Sequence, residues 1–329
     1  MAVAAFIIIS GFSLMLPLAV QSPGLTWQTF LPFARRFYVR RALRILPPYY
    51  AALALSVVLG TALRLESTHA LVADSLGHVL LLHDVSYAYY TWNQYAAFNP
   101  PLWSIAVEWH IYALFPLLVM LWQRYGILRT AGMAILASWV IVEVVALRAT
   151  RNLDFPFYVG GMTFPYYGFF VAGAMAAVTA FGPSGESVRL RRLPWGGVAA
   201  GCFLISLAAL ILSPKYLYTQ DSEVFAVPFA LAVCGLLIFL ASCRGSAAER
   251  ILSAQPLASL GGFSYSLYLI HYPLCVLLQR FLSYLHLLGT SLGFWIVLLG
   301  FCPLTILAAY AFSRVFERRW SLPKFRTSP

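Results

Sequence analysis

Long apolar stretches alternate with short polar segments along the whole chain. A hydrocarbon core about 30 Å thick needs roughly 20 apolar residues to be crossed by one helix, and nine stretches approach that length. They lie near residues 2–20, 45–62, 100–122, 127–148, 158–181, 195–213, 224–243, 262–280 and 290–313. The pattern predicts an all-α, polytopic transmembrane bundle of about nine spans, formed by one integral-membrane domain over residues 1–329.

A tenth apolar stretch, near residues 70–83, differs from the others. It is short for a crossing and contains Asp74, His78 and His83. We expect it to form a re-entrant or interfacial helix and not a tenth span.

The basic residues test this arrangement, because cytoplasmic loops carry an excess of Lys and Arg. With nine crossings, one side holds 17 of the 22 basic residues and the other side holds five: Arg64, Arg148, Arg151, Lys215 and Arg280. The bias predicts a cytoplasmic C-terminus, with residues 314–329 as a basic tail, and an external N-terminus. The first twenty residues have no basic n-region to direct secretion. We therefore expect either that a preceding helix is missing from this chain or that Met1 is an internal methionine.

Composition supports a membrane protein and excludes several other classes. Hydrophobic residues make up 61% of the chain, charged residues 10%, and the mean hydropathy is +0.79, so a polar surface cannot cover a soluble domain. The net charge is +11, and the basic residues lie between apolar stretches. This position favours contact with anionic lipid headgroups over binding of nucleic acid. The five cysteines lack the spacing of a metal site and are interpreted as small core residues.

An arginine cluster precedes the second apolar stretch. Arg36, Arg40 and Arg44 recur at i, i+4 and i+8, with Arg41 beside them, so a helix would gather them within roughly a third of its circumference. The planar fork of arginine matches phosphate oxygens in pairs, so the cluster suits a polyanion such as coenzyme A. Anchoring of the chain at the membrane surface explains the same pattern.

The third apolar stretch carries an ionisable residue at membrane depth. Ser104, Glu108 and Tyr112 follow one another at helical spacing, and Glu108 lies two turns inside the predicted span. An intramembrane carboxylate is costly and is usually either functional or paired, which leaves a catalytic role and a structural ion pair as alternatives. His110 lies on another face and is interpreted as a satisfied polar contact.

A second polar stripe lies in the segment LGGFSYSLYLIHYPL, residues 260–274. Ser264, Tyr268 and His271 are spaced at i, i+4 and i+7, and His271 falls about midway along its span, at a depth comparable to that of Glu108. A histidine beside a carboxylate is a usual general-base arrangement, although such a pair also serves to join two helices.

Four segments, taken in order, resemble the bacterial membrane acyltransferase family 3. They are FIIISGFSL at residues 6–14, the RxxR of Arg41 and Arg44, the PLWSIAVEWHIYALFP block with Glu108, and FSYSLYLIHYP with His271. The resemblance implies about ten helices, an acyl-coenzyme A donor that approaches the RxxR from the cytoplasm, and a carbohydrate or glycosylated acceptor. It also implies a histidine base on a first helix, whereas the first segment here matches the second helix of the family.

The resulting hypothesis is a bacterial inner-membrane O-acyltransferase without a metal. Its candidate catalytic residues are Glu108, His271, Ser264 and Tyr268, of which Glu108 and His271 orient the base or the acceptor, and Arg40, Arg41 and Arg44 hold the phosphates of the donor. Two alternatives remain open: a glycan or lipid transporter, because such carriers also use intramembrane carboxylates and histidines, and a catalytically inactive paralogue.

Overall fold

The computed structural model describes residues 2–21, 24–64, 75–82, 99–150, 163–212, 223–243, 245 and 247–317, and these residues form helices without any strand. The α-helices are α1 Ala2–Gln21, α2 Trp27–Ala62, α3 Trp103–Tyr125, α4 Ile127–Thr150, α5 Thr163–Phe181, α6 Gly185–Arg191, α7 Trp195–Leu212, α8 Glu223–Ser242, α9 Ala247–Leu252, α10 Gln255–Gly262, α11 Ser264–Tyr284, α12 Ser291–Trp295 and α13 Cys302–Phe312. A 3₁₀ turn, Pro100–Leu102, precedes α3, and π-helical turns, Ile296–Phe301 and Ser313–Glu317, follow α12 and α13. The all-α prediction is confirmed.

Length and composition qualify six described helices as membrane spans. The number rises to eight if two bent pairs, α5 with α6 at 95° and α10 with α11 at 69°, each count as one span. A further apolar helix, Val227–Ser242, is shorter than a span. All nine predicted stretches therefore overlap helices in the described part of the chain, while the count of nine crossings stays a prediction.

The second helix is longer than its predicted span. It runs for 36 residues through the arginine cluster and through Pro47 and Pro48. At about 1.5 Å per residue it is about 54 Å long, against about 30 Å for the hydrocarbon core. The helix can therefore cross a bilayer and still present its arginine segment as a helix outside the hydrocarbon core.

The stretch predicted to be re-entrant or interfacial is described only from residue 75 to residue 82. Residues 75–79 are helical, and two tyrosines of α2 hold this turn. The Tyr49 hydroxyl donates to the His78 carbonyl at 2.9 Å, and the Tyr50 hydroxyl donates to the Val79 carbonyl at 3.0 Å. The rest of the stretch, including His83, lies outside the described residues, so the prediction stays untested.

The chain divides into two compact units. The first contains Met1–Phe33 and Val107–Leu252, and the second contains Ala34–Ala106 and Ser253–Pro329. Within the first unit α5 packs against α1, α4 and α8, and α8 packs against α7. Within the second unit α11 packs against α13 and against the 3₁₀ turn that precedes α3.

Two glycines bring α1 and α5 into backbone contact. A Cβ atom at Gly11 would lie 2.1 Å from the Phe170 carbonyl oxygen, and one at Gly173 would lie 1.9 Å from the Ile8 carbonyl oxygen. No side chain fits at either distance, so only glycine permits this approach, as is usual where membrane helices pack closely. The contact fixes the position of Ser10, which directly precedes Gly11.

Candidate functional site

Glu108 lies in a buried hydroxyl cluster within the first unit. Its side chain is 5% exposed, and its Oε1 accepts hydrogen bonds from the Ser10 hydroxyl at 3.0 Å and from the Tyr112 hydroxyl. The Ser10 and Tyr112 oxygens are themselves 2.7 Å apart. The three contacts join the carboxyl group and both hydroxyls to one another, and each hydroxyl can donate or accept, so the hydrogen bonds can rearrange.

Local helix geometry and helix packing build this cluster together. Glu108 and Tyr112 are one turn apart on α3, which places their side chains on one face, as the sequence predicts. Ser10 lies on α1, which the glycine contact holds against α5. The Tyr112 ring packs edge-on against Phe170 of α5, with the ring centroids 6.1 Å apart, and Phe115 contacts the same ring. These apolar rings shield the polar cluster.

His110 has a different partner. Its Nδ1 lies 3.4 Å from the Thr163 Oγ1 at the start of α5, a long contact within the first unit. This contact agrees with the interpretation of His110 as a satisfied polar side chain.

In the second unit, Tyr268 closes a small loop of hydrogen bonds on the entry to α3. Its hydroxyl donates to the Pro101 carbonyl at 2.8 Å and lies 2.6 Å from the Ser104 Oγ. The Ser104 Oγ also lies 3.2 Å from the Pro101 carbonyl oxygen and can donate there, so the two hydroxyl protons serve three contacts. Ser104, predicted to share a face with Glu108, therefore makes this contact within the second unit.

His271 is half-buried and has a defined tautomer. Its Nδ1 lies 2.7 Å from the Tyr268 carbonyl oxygen, which can only accept, so Nδ1 carries the proton. In the neutral ring Nε2 is then the acceptor. Ser264, the first residue of α11, is exposed and donates to the Gly261 carbonyl at 3.0 Å, at the bend between α10 and α11.

The predicted approach of Glu108 to His271 stays a prediction. Glu108 belongs to the first unit and His271 to the second, and each has hydrogen-bond partners within its own unit. The catalytic roles of Glu108, His271, Ser264 and Tyr268 are likewise predictions.

The structure also reveals two polar residues to which the sequence pattern assigns no role at these sites. Ser10 contacts Glu108, and its only signal is its place in the segment at residues 6–14. Asn99 is 0% exposed, and its Nδ2 donates to the Ser56 Oγ and to the Leu269 carbonyl, both at 3.0 Å. An asparagine directly before an apolar helix is also a usual helix-start residue, which conceals the longer-range role.

The predicted phosphate-binding arginines lie on α2. Arg40 and Arg44 are exposed and Arg41 is half-buried, with its guanidinium carbon 5.7 Å from the centre of the Phe37 ring. Arg44 makes no hydrogen bond or ion pair with any residue in the described ranges. The role of Arg40, Arg41 and Arg44 in binding the phosphates of a donor stays a prediction.

The described part of the chain thus has the features of a polytopic membrane protein, with polar clusters among its helices. The family model of the acyltransferase domain, acyltransferase family 3, matches residues 1–314. The chain belongs to this family, as the order of its four segments predicts, and the family is a class of transferases that act on groups other than aminoacyl groups.

Comparison with curated proteins adds one relative. The protein of Bacillus subtilis (strain 168) named "Putative peptidoglycan O-acetyltransferase YrhL" is 24% identical over 259 residues. The match covers 74% of this chain and 39% of that protein, so the chain spans well under half the length of the relative. No solved structure matches the chain significantly.

Proposed function

We propose that the chain is a membrane O-acyltransferase that moves an acetyl or other short acyl group from acyl-coenzyme A to a hydroxyl of a carbohydrate or glycosylated acceptor. The observation that carries this proposal is Glu108, a buried carboxylate held by two hydroxyls inside the helices of an acyltransferase-family chain. The name of the B. subtilis relative supports a glycan acceptor. The expected location is a bacterial inner membrane, which the chain crosses several times.

The proposed reaction moves the acyl group from the sulfur of coenzyme A to the oxygen of the acceptor hydroxyl. The acceptor hydroxyl loses its proton to a base, its oxygen forms a bond to the thioester carbonyl carbon, and the tetrahedral oxyanion collapses with cleavage of the C–S bond. Coenzyme A leaves as a thiolate, which takes up a proton. The family resemblance assigns the base to a first-helix histidine, and here Glu108 and His271 orient that base or the acceptor. Nε2 of His271 is suited to accept a hydrogen bond from the acceptor hydroxyl, since Nδ1 already donates.

Donor binding falls to the arginines of α2. Arg41 and Arg44 hold the phosphates of the donor, and Arg40 assists them on the same helix. The exposed Arg44 can pair with a phosphate without first breaking an ion pair in the described part of the chain, which lowers the cost of binding.

The test is the transfer of radiolabelled acyl groups to glycan in membranes that contain the wild-type chain or one variant. We expect Arg44→Ala to raise the KM for acyl-coenzyme A about tenfold, the loss of one charge-assisted interaction, while Arg189→Ala, an exposed arginine of α6, matches the wild type. Glu108→Ala should reduce kcat. If the wild-type chain leaves the glycan unlabelled, the proposal is rejected. Binding of the donor without turnover would then support an inactive paralogue, and movement of glycan across vesicle membranes would support a transporter.

A further inference from the structure

Helix α11 contains a proline two positions after its candidate functional histidine. Pro273 is buried within α11 and has no backbone N–H. In an α-helix the N–H of residue 273 would donate to the carbonyl of Leu269, so the proline leaves that carbonyl without its regular donor. An unpaired carbonyl inside an apolar bundle is costly.

Asn99 supplies the missing donor. Its Nδ2 lies 3.0 Å from the Leu269 oxygen, and the identity of the amide atoms is fixed because a carbonyl can only accept. The other Nδ2 proton goes to the Ser56 Oγ at 3.0 Å, and Ser56 in turn donates to the Ala52 carbonyl at 2.7 Å. Among the described residues the Asn99 Oδ1 has no hydrogen-bond partner, so the two donated bonds orient this buried side chain.

The repaired turn is the one from which His271 projects. The Tyr268 carbonyl, next to that of Leu269, accepts the Nδ1 proton of His271 at 2.7 Å. The orientation of the His271 ring therefore depends on the path of the backbone through residues 268 and 269. Asn99 fixes this path from outside the helix.

We infer that Asn99 is a positioning residue for His271: it replaces the hydrogen bond that Pro273 cannot make and so holds the turn that aims Nε2. The inference rests on the proposed function in so far as His271 serves acyl transfer. The competing explanation is that Asn99 only ties α11 to α2 through Ser56, with no special relation to the proline.

The two explanations differ in what a second substitution rescues. Pro273→Ala restores an N–H that can reach the Leu269 carbonyl, so it should compensate for the loss of Asn99 only if Asn99 acts in place of that N–H. Asn99→Leu removes both donated bonds and replaces the amide with a side chain of similar size. Ser56→Ala removes only the bond to α2, and Pro116→Ala, at a proline inside α3, is the matched control for proline replacement.

The experiment compares wild type, Asn99→Leu, Pro273→Ala and the double variant by three measurements: acyl transfer, melting temperature in detergent, and the rate at which diethyl pyrocarbonate modifies His271, mapped by mass spectrometry. We expect Asn99→Leu to lower kcat about tenfold with an unchanged KM for the donor and to alter the His271 modification rate at least threefold. The double variant should return to within about threefold of wild type in kcat and in modification rate. Asn99→Leu combined with Pro116→Ala should show no recovery, and Ser56→Ala, which keeps the bond to Leu269 but removes the other bond of Asn99, should show a smaller defect than Asn99→Leu.

The inference is overturned if Asn99→Leu and the Asn99→Leu, Pro273→Ala double variant show equal defects. It is also overturned if Ser56→Ala shows the same defect as Asn99→Leu. The modification rate and the melting temperature do not require turnover. If the wild type transfers no acyl group, the proposed function fails, while these two measurements still decide whether Asn99 replaces the missing donor and aims the histidine.

Discussion

At the scale of single residues, the least expected feature is that two hydroxyls hold Glu108 at membrane depth. Its Oε1 accepts from two neutral hydroxyls, those of Ser10 and Tyr112, in a setting of apolar rings. A hydrogen bond contributes about 0.5–1.5 kcal/mol between neutral groups and about 1.5–3 kcal/mol when one group is charged, so each hydroxyl matters to a side chain that solvent barely reaches. Ser10 and Tyr112 thereby become part of any function that Glu108 has.

We predict that Tyr112→Phe and Ser10→Ala each lower acyl transfer about tenfold or more, because 1.4 kcal/mol lost from the transition state is a factor of ten. The measurement is the initial rate of labelled acyl incorporation. Ser13→Ala, at an exposed serine three residues further along α1, is the matched control and should match wild type. Full activity in both Tyr112→Phe and Ser10→Ala would show that the hydroxyls do not support Glu108.

Helical periodicity predicts the local half of each site and misses the other half. It places Glu108 with Tyr112 on α3 and Tyr268 with His271 on α11, since such pairs lie one turn apart on one helix. Ser10 meets Glu108 across 98 positions of sequence, and Asn99 meets Leu269 across 170. Contacts of this kind depend on which helices pack together, and no spacing within a segment encodes that choice.

At the scale of elements, the pairing of α1 with α5 depends on two positions without side chains. Gly11 and Gly173 allow each helix to touch the carbonyl oxygens of the other. Glycine is common where membrane helices pack closely, but the sequence does not tell which glycine meets a neighbour. Gly168, on the same helix, would face open space if it had a Cβ atom.

We predict that Gly173→Ala destabilises the protein whereas Gly168→Ala does not. The added methyl at residue 173 meets a backbone oxygen that cannot move aside alone, so α1 must shift, at a cost of about 1–3 kcal/mol as for other overpacked sites. Thermal unfolding in detergent measures the effect as a lower Tm for Gly173→Ala only. Acyl transfer should fall with it, because the shift carries Ser10 away from Glu108; equal Tm values for the two variants would contradict the close contact.

The second helix shows that the pattern of apolar residues alone underestimates the length of a helix. Hydropathy predicts a span from residue 45, because the arginines before it are polar, whereas the structure continues one helix from Trp27 to Ala62. Helix formation follows the backbone and its hydrogen bonds, and it does not stop where the surroundings change from lipid to water. The arginine spacing at i, i+4 and i+8 is the signal that does predict this extension.

At the scale of the whole molecule, the exposed surface is strongly apolar, as lipid contact requires. Leu204, Ile211 and Leu212 of α7 are 62%, 68% and 80% exposed. Such side chains would aggregate on a soluble domain, but they match the hydrocarbon of a bilayer. The structure therefore accounts for the composition, while the direction in which the helices cross rests on the distribution of Lys and Arg alone.

The direction of crossing can be tested across α11 by two exposed leucines of similar accessibility. Leu257 of α10 is 47% exposed and Leu288, after α11, is 50% exposed. The charge bias predicts that α11 leaves the cytoplasm near residue 262, so Leu257→Cys should be protected from a membrane-impermeant maleimide in right-side-out vesicles and Leu288→Cys should react. Both are introduced after replacement of the five native cysteines, and detergent should expose both equally. The reverse labelling would place the C-terminus outside and, with it, would move the arginines of α2 away from cytoplasmic acyl-coenzyme A, so this experiment constrains the donor as well as the topology.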